Sequence, residues 1–430
     1  MTAEALGGLI LVGGFLLLIL LRVPMVFAIG FSTAATMFVL DIPLNMMVSN
    51  MVKGLNSFSL MAIPFFIFAG EIMGAGGISD QLVALAKSLI GHVRGGLAQA
   101  NVLDSMFFGG ISGSPVADVS SLGSIMIPIM KRDGYDEDFS AGITMASAVQ
   151  ALLIPPSHNM IIYATSAGAV SIAKLFVGGM VPGVVLGIAL MIYVYYVSRK
   201  RNYPKGDKFS LSVFLSTFKK SILALVTIVI IVLGVTTGIF TATESAAIAV
   251  VWALIVTFAV YRAIPLRQLW PILGNTLKTL ATVMAIIGIS GSFGWVLSYL
   301  KIPDMVVSAV LNMTSNKIVI LMLINIVLLV LGMIMDMSSI IIIATPILLP
   351  IATSIGVDPV HFGVIMIFNL GIGLITPPVG GVLFVTSGIA NMKMEKLVKC
   401  MLPFYAVMFL ALILITYVPA FTMFLPNLLL

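Results

Sequence analysis

Apolar residues run along this chain in blocks of membrane-crossing length, separated by short joints that are polar, basic, or rich in glycine and proline. A helix needs about 17–25 predominantly apolar residues to cross a hydrocarbon core. Blocks of that kind lie at 3–21, 23–40, 58–76, 138–168, 175–198, 220–239, 243–262, 279–300, 361–390 and 400–424, and they predict ten crossings in an all-α polytopic membrane protein. Two further apolar stretches, 97–130 and 316–354, carry small and polar residues at their centres: Ser112-Gly113-Ser114-Pro115 in the first and Asp336-Met337-Ser338-Ser339 in the second. That pattern predicts re-entrant helical hairpins, which enter the membrane, turn inside it and leave on the same side.

Two of the crossing blocks contain a proline pair, at Ile154-Pro155-Pro156-Ser157 and Ile375-Thr376-Pro377-Pro378. Consecutive prolines remove two backbone donors and disfavour helical geometry just before them, so each block is a broken helix. The pairs stand 222 residues apart, and the same offset lays Pro128 on Pro350, Tyr135-Asp136 on Val357-Asp358 and Thr165-Ser166 on Ser387-Gly388. The chain therefore divides into a first repeat, 1–198, with an inward-opening hairpin at 97–130, and a second repeat, 220–430, with an outward-opening hairpin at 316–354. Between them, 199–219 is a basic cytoplasmic linker and interfacial segment. Five crossings per repeat is an odd number, which inverts the second repeat relative to the first. Non-helical backbone at membrane depth persists only where it is buried in protein or lines a polar cavity, and paired broken helices are the sequence pointer to a transporter site.

Composition confirms the environment and charge sets the orientation. With 60% hydrophobic and 9% charged residues among 430 and a mean hydropathy of +1.19, the chain is far from the roughly 25% charge of soluble domains. Cytoplasmic loops are enriched in Lys and Arg. With both termini outside, 18 basic residues, Arg22, Lys131, Lys393 and Lys396 among them, fall inside, against Lys53, Lys174, Lys301 and Lys317 outside. The pI of about 9.3 thus reflects orientation and not a nucleic-acid surface, since no basic patch with interleaved aromatics is present. Cys400 is the single cysteine, so a disulfide framework or thiolate metal site is not expected. The first segment lacks a basic n-region and a small-residue cleavage site and reads as a retained helix. Ile78 to Gly91 and Pro265 to Lys278 mix charge with apolar residues and are expected to lie along the interface.

Acidic residues inside a membrane are costly enough to count as functional candidates. Glu71, Asp104, Asp118, Glu244 and Asp336 all fall in apolar segments. Asp336, at a hairpin tip with Gly332, Ser338 and Ser339 nearby, can cap the following helix, ligate a hard cation through oxygen, or do both. For Asp118, Glu71 and Glu244 a structural role leads. The first tip, with Ser112, Gly113 and Ser114, offers hydroxyls and a close backbone approach to a cation or an organic acid, although Gly-Ser-Pro also writes any tight turn. Half-helices starting at Ser157 and Val379 would aim their N-terminal dipoles into one cavity, which suits an anion. His158 reads equally as a substrate donor, a proton carrier or a polar plug of the broken helix, whereas His92 and His361 read as interface or loop residues. HExxH, CxxC and GxSxG patterns are absent, and Ser157 beside His158 is poorly placed as a nucleophile and base, so an enzyme is not expected. A channel fits paired occluding tips less well than alternating access does.

The inverted halves, two Pro-Pro breaks, Ser-Gly-Ser-Pro tip and Asp336 tip together resemble, over nearly the whole chain, the large membrane subunit of tripartite ATP-independent periplasmic (TRAP) transporters. The resemblance implies an elevator-type secondary transporter of the bacterial inner membrane, coupling inward Na⁺ movement to uptake of an organic acid anion such as sialic acid or a C4-dicarboxylate, with sialic acid favoured. It implies two partners: a small four-helix membrane subunit and a soluble periplasmic substrate-binding protein, whose docking would use the loops near Lys53, Lys301 and Lys317. One Na⁺ would join Ser112, Gly113 and Ser114 to the backbone around Pro155 and Asn159. A second would join Gly332 and Asp336 to Thr376 and Val379. The anion would sit between the tips, near Ser112, Ser157, His158, Asn159, Thr376 and Gly380. A stand-alone Na⁺/dicarboxylate symporter of related fold is the nearest alternative.

Overall fold

A computed structural model describes residues 3–21, 23–168, 170–206 and 208–430; Arg22, counted above among the inward basic residues, lies outside the described residues. Among the described residues, eight helices are long and apolar enough to cross a membrane, and the pair Glu137–Leu153 and His158–Ala167, bent by 46°, makes a ninth. Many large apolar side chains are exposed, for example Leu20, Phe38, Ile192 and Leu410. A water-soluble protein does not tolerate such a surface, and lipid does.

Both hairpins form where small and polar residues interrupt the apolar runs. The first enters as Gly96–Ser112, turns at Gly113-Ser114 and returns as Pro115–Asp118, a π-helical turn Val119–Gly123 and Ser124–Arg132. The second runs Lys317–Ile334, turns at Met335-Asp336 and returns as Met337–Ser354. The first broken helix runs Glu137–Ala148 and Gln150–Leu153, breaks, and resumes as His158–Ala167. The second runs Pro359–Leu374 and resumes as Gly381–Ala390. The Pro155-Pro156 and Pro377-Pro378 peptides are both cis.

Element boundaries keep the 222-residue offset: Pro115 and Met337 open the returning arms, Arg132 and Ser354 close them, and Glu137 and Pro359 open the broken helices. Packing is reciprocal. His158–Ala167 of the first half lies on Met337–Ser354 of the second, while Gly381–Ala390 of the second half lies on Pro115–Asp118 and the π turn of the first. The two broken helices meet at Gly371, where a Cβ would stand 2.7 Å from Leu152 Cδ1 and 2.9 Å from Val149 Cγ1, so any larger residue would push these side chains aside. Val149 is the residue 222 positions before Gly371.

Around this unit stand the long helices Ile172–Lys200, Leu211–Thr236, Leu269–Tyr299 and Met394–Tyr417. Ile78–Ile90 is helical as expected. The interfacial helix expected over 265–278 is instead a single 3₁₀ turn, Leu266–Gln268, leading straight into the 31-residue helix Leu269–Tyr299. Pro271 sits in its first turn, where a missing N–H costs nothing, and no second proline follows within the helix. Two helices arise that the apolar blocks did not announce, Asn45–Leu55 and Ile302–Met313. Asn45, Ser49, Asn50 and Lys53 dilute the first below crossing hydropathy, yet it packs closely on Leu269–Tyr299, with a Cβ at Gly54 only 3.3 Å from Gly291 Cα. Helix Leu211–Thr236 begins well before position 220, and the polar joint 201–206 folds back on the loop before the first hairpin: Gly95 N–H donates to Pro204 O at 3.1 Å and Gly206 N–H to Gly91 O at 3.1 Å.

Candidate functional site

A cavity of about 1010 Å³ reaches between the two hairpins and the long helix Leu269–Tyr299. Ser112 and Ser114 of the first tip, His158 at the first break, and Asp336 and Ser338 of the second tip all line it.

The first tip is shaped by its glycine. Gly113 ends the entering helix with φ +60°, and a Cβ there would fall 2.3 Å from Pro156 O. Left-handed backbone and absent side chain are both needed, so the tip rests directly on the Pro-Pro break. Beyond it Ser114 caps the returning helix, accepting from Ala117 N–H at 3.4 Å, while its own N–H donates to Ser112 Oγ at 3.4 Å. The Ser157 hydroxyl is fully buried and has no partner. Asn159 places its amide nitrogen 3.3 Å from His158 Nε2, and its carbonyl oxygen accepts from Ser338 Oγ at 3.5 Å, which links the first break to the second tip.

At the second tip Asp336 is an N-cap, its carboxylate accepting from Ser338 N–H at 3.0 Å and Ser339 N–H at 3.4 Å. The capping half of its dual reading is thus met. Gly332 and Gly373 press together, with a Cβ on Gly373 2.6 Å from Gly332 C, and Val379 N–H donates to Met333 O at 3.1 Å. Thr376 turns its hydroxyl back onto Ile372 O at 2.6 Å. The buried Ser339 hydroxyl has no partner.

The expected residues therefore gather in two groups. Ser112, Gly113, Ser114, Pro155 and Asn159 belong to the first tip and break; Gly332, Asp336, Thr376 and Val379 belong to the second. Only the first break opens on the common cavity. It does so through His158 alone: Ser157, Asn159, Thr376, Val379 and Gly380 do not line the cavity, and Val379 is 45% exposed, which corrects the expectation that both half-helices would face one hollow. The reason is local: the second break is turned toward Met333 by its backbone bond and is held from behind by Tyr405, whose hydroxyl donates to Ile375 O at 2.5 Å. At the first tip the Ser157 hydroxyl, and at the second the Ser339 hydroxyl next to the Asp336 carboxylate, have no hydrogen-bond partner among the described residues, so each tip offers free oxygen donors. Such a set fits a hard monovalent cation, which takes oxygen ligands and shuns soft ones.

Several lining groups escaped the sequence reading. Asn275, Thr279 and Thr282 face the cavity from Leu269–Tyr299, and their i, i+4, i+7 spacing is a polar stripe in an apolar helix that could have flagged them. Glu71 and Asp80 also reach it. Ser79 Oγ and Ser121 Oγ, 2.6 Å apart, bridge Ile78–Ile90 to the first hairpin. Glu244 forms a capping box with Thr241 at an exposed helix start, and Asp118 accepts from Ser105 Oγ at 2.9 Å, as structural readings predict. His361 is corrected: it is buried, with Nδ1 2.6 Å from Thr422 Oγ1 and Nε2 3.2 Å from Thr416 O, and so is neither an interface nor a loop residue.

Residues 12–421 match the family described as tripartite ATP-independent periplasmic transporter, DctM component. The chain belongs to that family. It is 42% identical to the isethionate TRAP transporter permease protein DctMQ of Oleidesulfovibrio alaskensis, over 96% of this chain and 66% of that protein. It is 41% identical to the C4-dicarboxylate TRAP transporter large permease protein DctM of Pseudomonas aeruginosa, over 86% of each. Among solved structures, the YdaH transporter of Alcanivorax borkumensis superposes with a TM-score of 0.64 over 87% of this chain and 88% of that one, at 13% identity, a likeness of fold alone. The DctM-component relatives are named as transporter permeases, not enzymes, and this chain is a multi-pass membrane component of a TRAP transport system.

Proposed function

We propose that this chain is the large transport subunit of a Na⁺-coupled importer of the bacterial inner membrane, with both termini periplasmic, working with a small four-helix membrane subunit and a periplasmic substrate-binding protein. The observation that carries this reading is the meeting of Ser112, Ser114, His158, Asp336 and Ser338, drawn from two hairpin tips and one broken helix, on a single cavity. Na⁺ at the first tip would be held by the Ser112 and Ser114 hydroxyls with backbone carbonyls of the first break. Na⁺ at the second tip would be held by Asp336 with carbonyls near Gly332 and Thr376. The second ion neutralises Asp336, the first adds positive charge beside neutral oxygens, and each orders its tip, so ion binding builds the anion site and ligand affinity rises with Na⁺.

The substrate is an organic acid. The names of the two relatives carry a hydroxysulfonate and a C4-dicarboxylate, so the sialic acid favoured by resemblance is one of three candidates. The charged residues lining the cavity are Glu71, Asp80 and Asp336, with no Lys or Arg among its described residues. An anion there is held by hydroxyls, by the imidazole of His158, by the dipole of His158–Ala167 and by co-bound cations. Alternating access would be elevator-like, the hairpins and broken helices moving against the long helices. Asp80 and Gln268 line the cavity, and with Lys87 and Arg267 close to them in sequence on the side read as cytoplasmic, an inward-facing arrangement is the reading that fits.

Uptake by proteoliposomes containing the chain with its partner subunits, offered isethionate, a C4-dicarboxylate and sialic acid across a Na⁺ titration, tests the reading. Saturable, Na⁺-dependent uptake of one acid is expected. Uptake indifferent to Na⁺, or undiminished without the small subunit, would reject the coupled, tripartite assignment.

A further inference from the structure

A second, smaller cavity of about 230 Å³ lies away from the hairpin tips, between the start of the first broken helix, the end of Ile172–Lys200 and the first turns of Met394–Tyr417. Three cationic side chains line it, Arg201, Lys396 and Lys399, against one carboxylate, Asp138. Arg201 is already balanced, its Nη1 standing 2.7 Å from Asp136 and 3.6 Å from Asp138. Lys396 leans on Glu137 at 3.6 Å, and that carboxylate is shared with Lys131. Lys399 has no carboxylate within ion-pair distance among the described residues, so the positive surplus is concentrated there.

Beneath the cations the floor is aromatic and rigid. Phe404 stands edge-on to Tyr193 with centroids 5.0 Å apart and packs on Phe139 at 6.0 Å. The same two helices carry exposed apolar residues at neighbouring positions: Ile192 and Tyr196 on either side of Tyr193 in sequence, and Leu402 before Pro403. A cationic rim at the cytoplasmic margin, an apolar floor and an adjoining lipid-facing wall suit a molecule with an anionic head and a hydrocarbon body. Basic pockets between transmembrane helices on the cytoplasmic side bind anionic headgroups in this way. A free phosphate would use the rim and gain nothing from the floor or the wall.

We propose that this pocket is a binding site for an anionic phospholipid, with the headgroup phosphate against Lys399 and Lys396 and the glycerol over Phe404. The site joins helices of both halves, so the lipid bridges the first broken helix to Met394–Tyr417.

The test is native mass spectrometry of the purified transporter reconstituted with phosphatidylglycerol or phosphatidylcholine and stripped by stepwise detergent exchange. Retention of phosphatidylglycerol, and not phosphatidylcholine, is expected. Lys399→Gln should lower that retention severalfold and Lys396→Gln/Lys399→Gln further, with Lys53→Gln as a control at the opposite face. Thermal unfolding in phosphatidylcholine should be the same for wild type and Lys399→Gln, since Lys399 makes no ion pair among the described residues to lose. Equal retention in the double variant would overturn the site, and displacement of the lipid by inorganic phosphate would overturn the lipid as its occupant.

Discussion

Asp336 is the residue on which the proposed second Na⁺ site depends most. Its carboxylate already caps Met337–Ser354, and an asparagine keeps most of that capping while losing the charge. A charged hydrogen-bonding contact contributes about 1.5–3 kcal/mol, and every 1.4 kcal/mol is roughly tenfold in affinity. Asp336→Asn is therefore expected to fold and to lose about tenfold or more in apparent Na⁺ affinity, read from uptake against Na⁺ concentration; normal Na⁺ dependence would remove Asp336 from the ion site. Asp104 presents a different case. It is fully buried in the first hairpin, and neither carboxylate oxygen has a hydrogen-bond partner among the described residues. At the 222-residue offset the second hairpin builds the same fold with Ile326 there, and with Ile340 in place of Asp118. The fold does not need these acids, and replacing buried charge by well-packed apolar groups is often neutral or stabilising. Asp104→Leu is expected to melt no lower than wild type in detergent. A large drop in melting temperature would show that hidden partners satisfy the carboxylate.

At the scale of elements, the hairpin tips are held by backbone contacts that tolerate no side chain. Gly113→Ala forces a non-glycine residue to φ +60°, costing roughly 1–2 kcal/mol, and drives a methyl against Pro156 O. Since the clash is with backbone, the tip must lift off the break. Uptake is expected to fall far more than protein yield, measurable as transport per folded molecule; an alanine variant with full uptake would separate the tip from transport. The polar joint between the halves is held by a second device. Tyr203 OH and Arg201 Nη1 each donate to Asp136 Oδ2 at 2.7 Å. The Tyr203 hydroxyl first, and then the Arg201 guanidinium, holds the Asp136 carboxyl below its ordinary range despite some burial. A depressed carboxyl stabilises the fold above its ordinary value near 3.9, and that contribution fades as pH falls further toward the depressed value. Asp136→Asn should accordingly melt below wild type at neutral pH, with the gap closing under about pH 4; a gap constant with pH would show that the charge plays no part.

For the molecule as a whole, the question is which parts move. If the hairpins travel against the long helices, the contact between Ser79 and Ser121, 2.6 Å apart, belongs to one end of the cycle. Cysteines at both positions, in a Cys400→Ser background, are expected to cross-link under oxidant and stop uptake, with recovery on reduction. Cross-linked protein that still transports would mean that Ile78–Ile90 travels with the first hairpin, and would redraw the boundary between moving and fixed parts.

Hydrophobic blocks, proline pairs and the 222-residue offset determined a great deal by themselves: the membrane environment, both hairpins with their tips at Ser112–Ser114 and Asp336, and the broken helices. These are local properties, written in runs of lipid-compatible side chains and in residues that cannot continue a helix. Tertiary structure decided what contiguity cannot state. It set which break faces the cavity, because a hydrogen bond from Val379 to Met333 and another from Tyr405 turn the second break aside. It drew Asn45–Leu55 into a helix through a glycine contact with a partner more than 230 residues away, at Gly291. It also buried His361 against Thr416 O of Met394–Tyr417 and the Thr422 hydroxyl of Ala420–Leu429. In each case the deciding energy is a contact between segments remote in sequence, and only the folded chain brings those surfaces together.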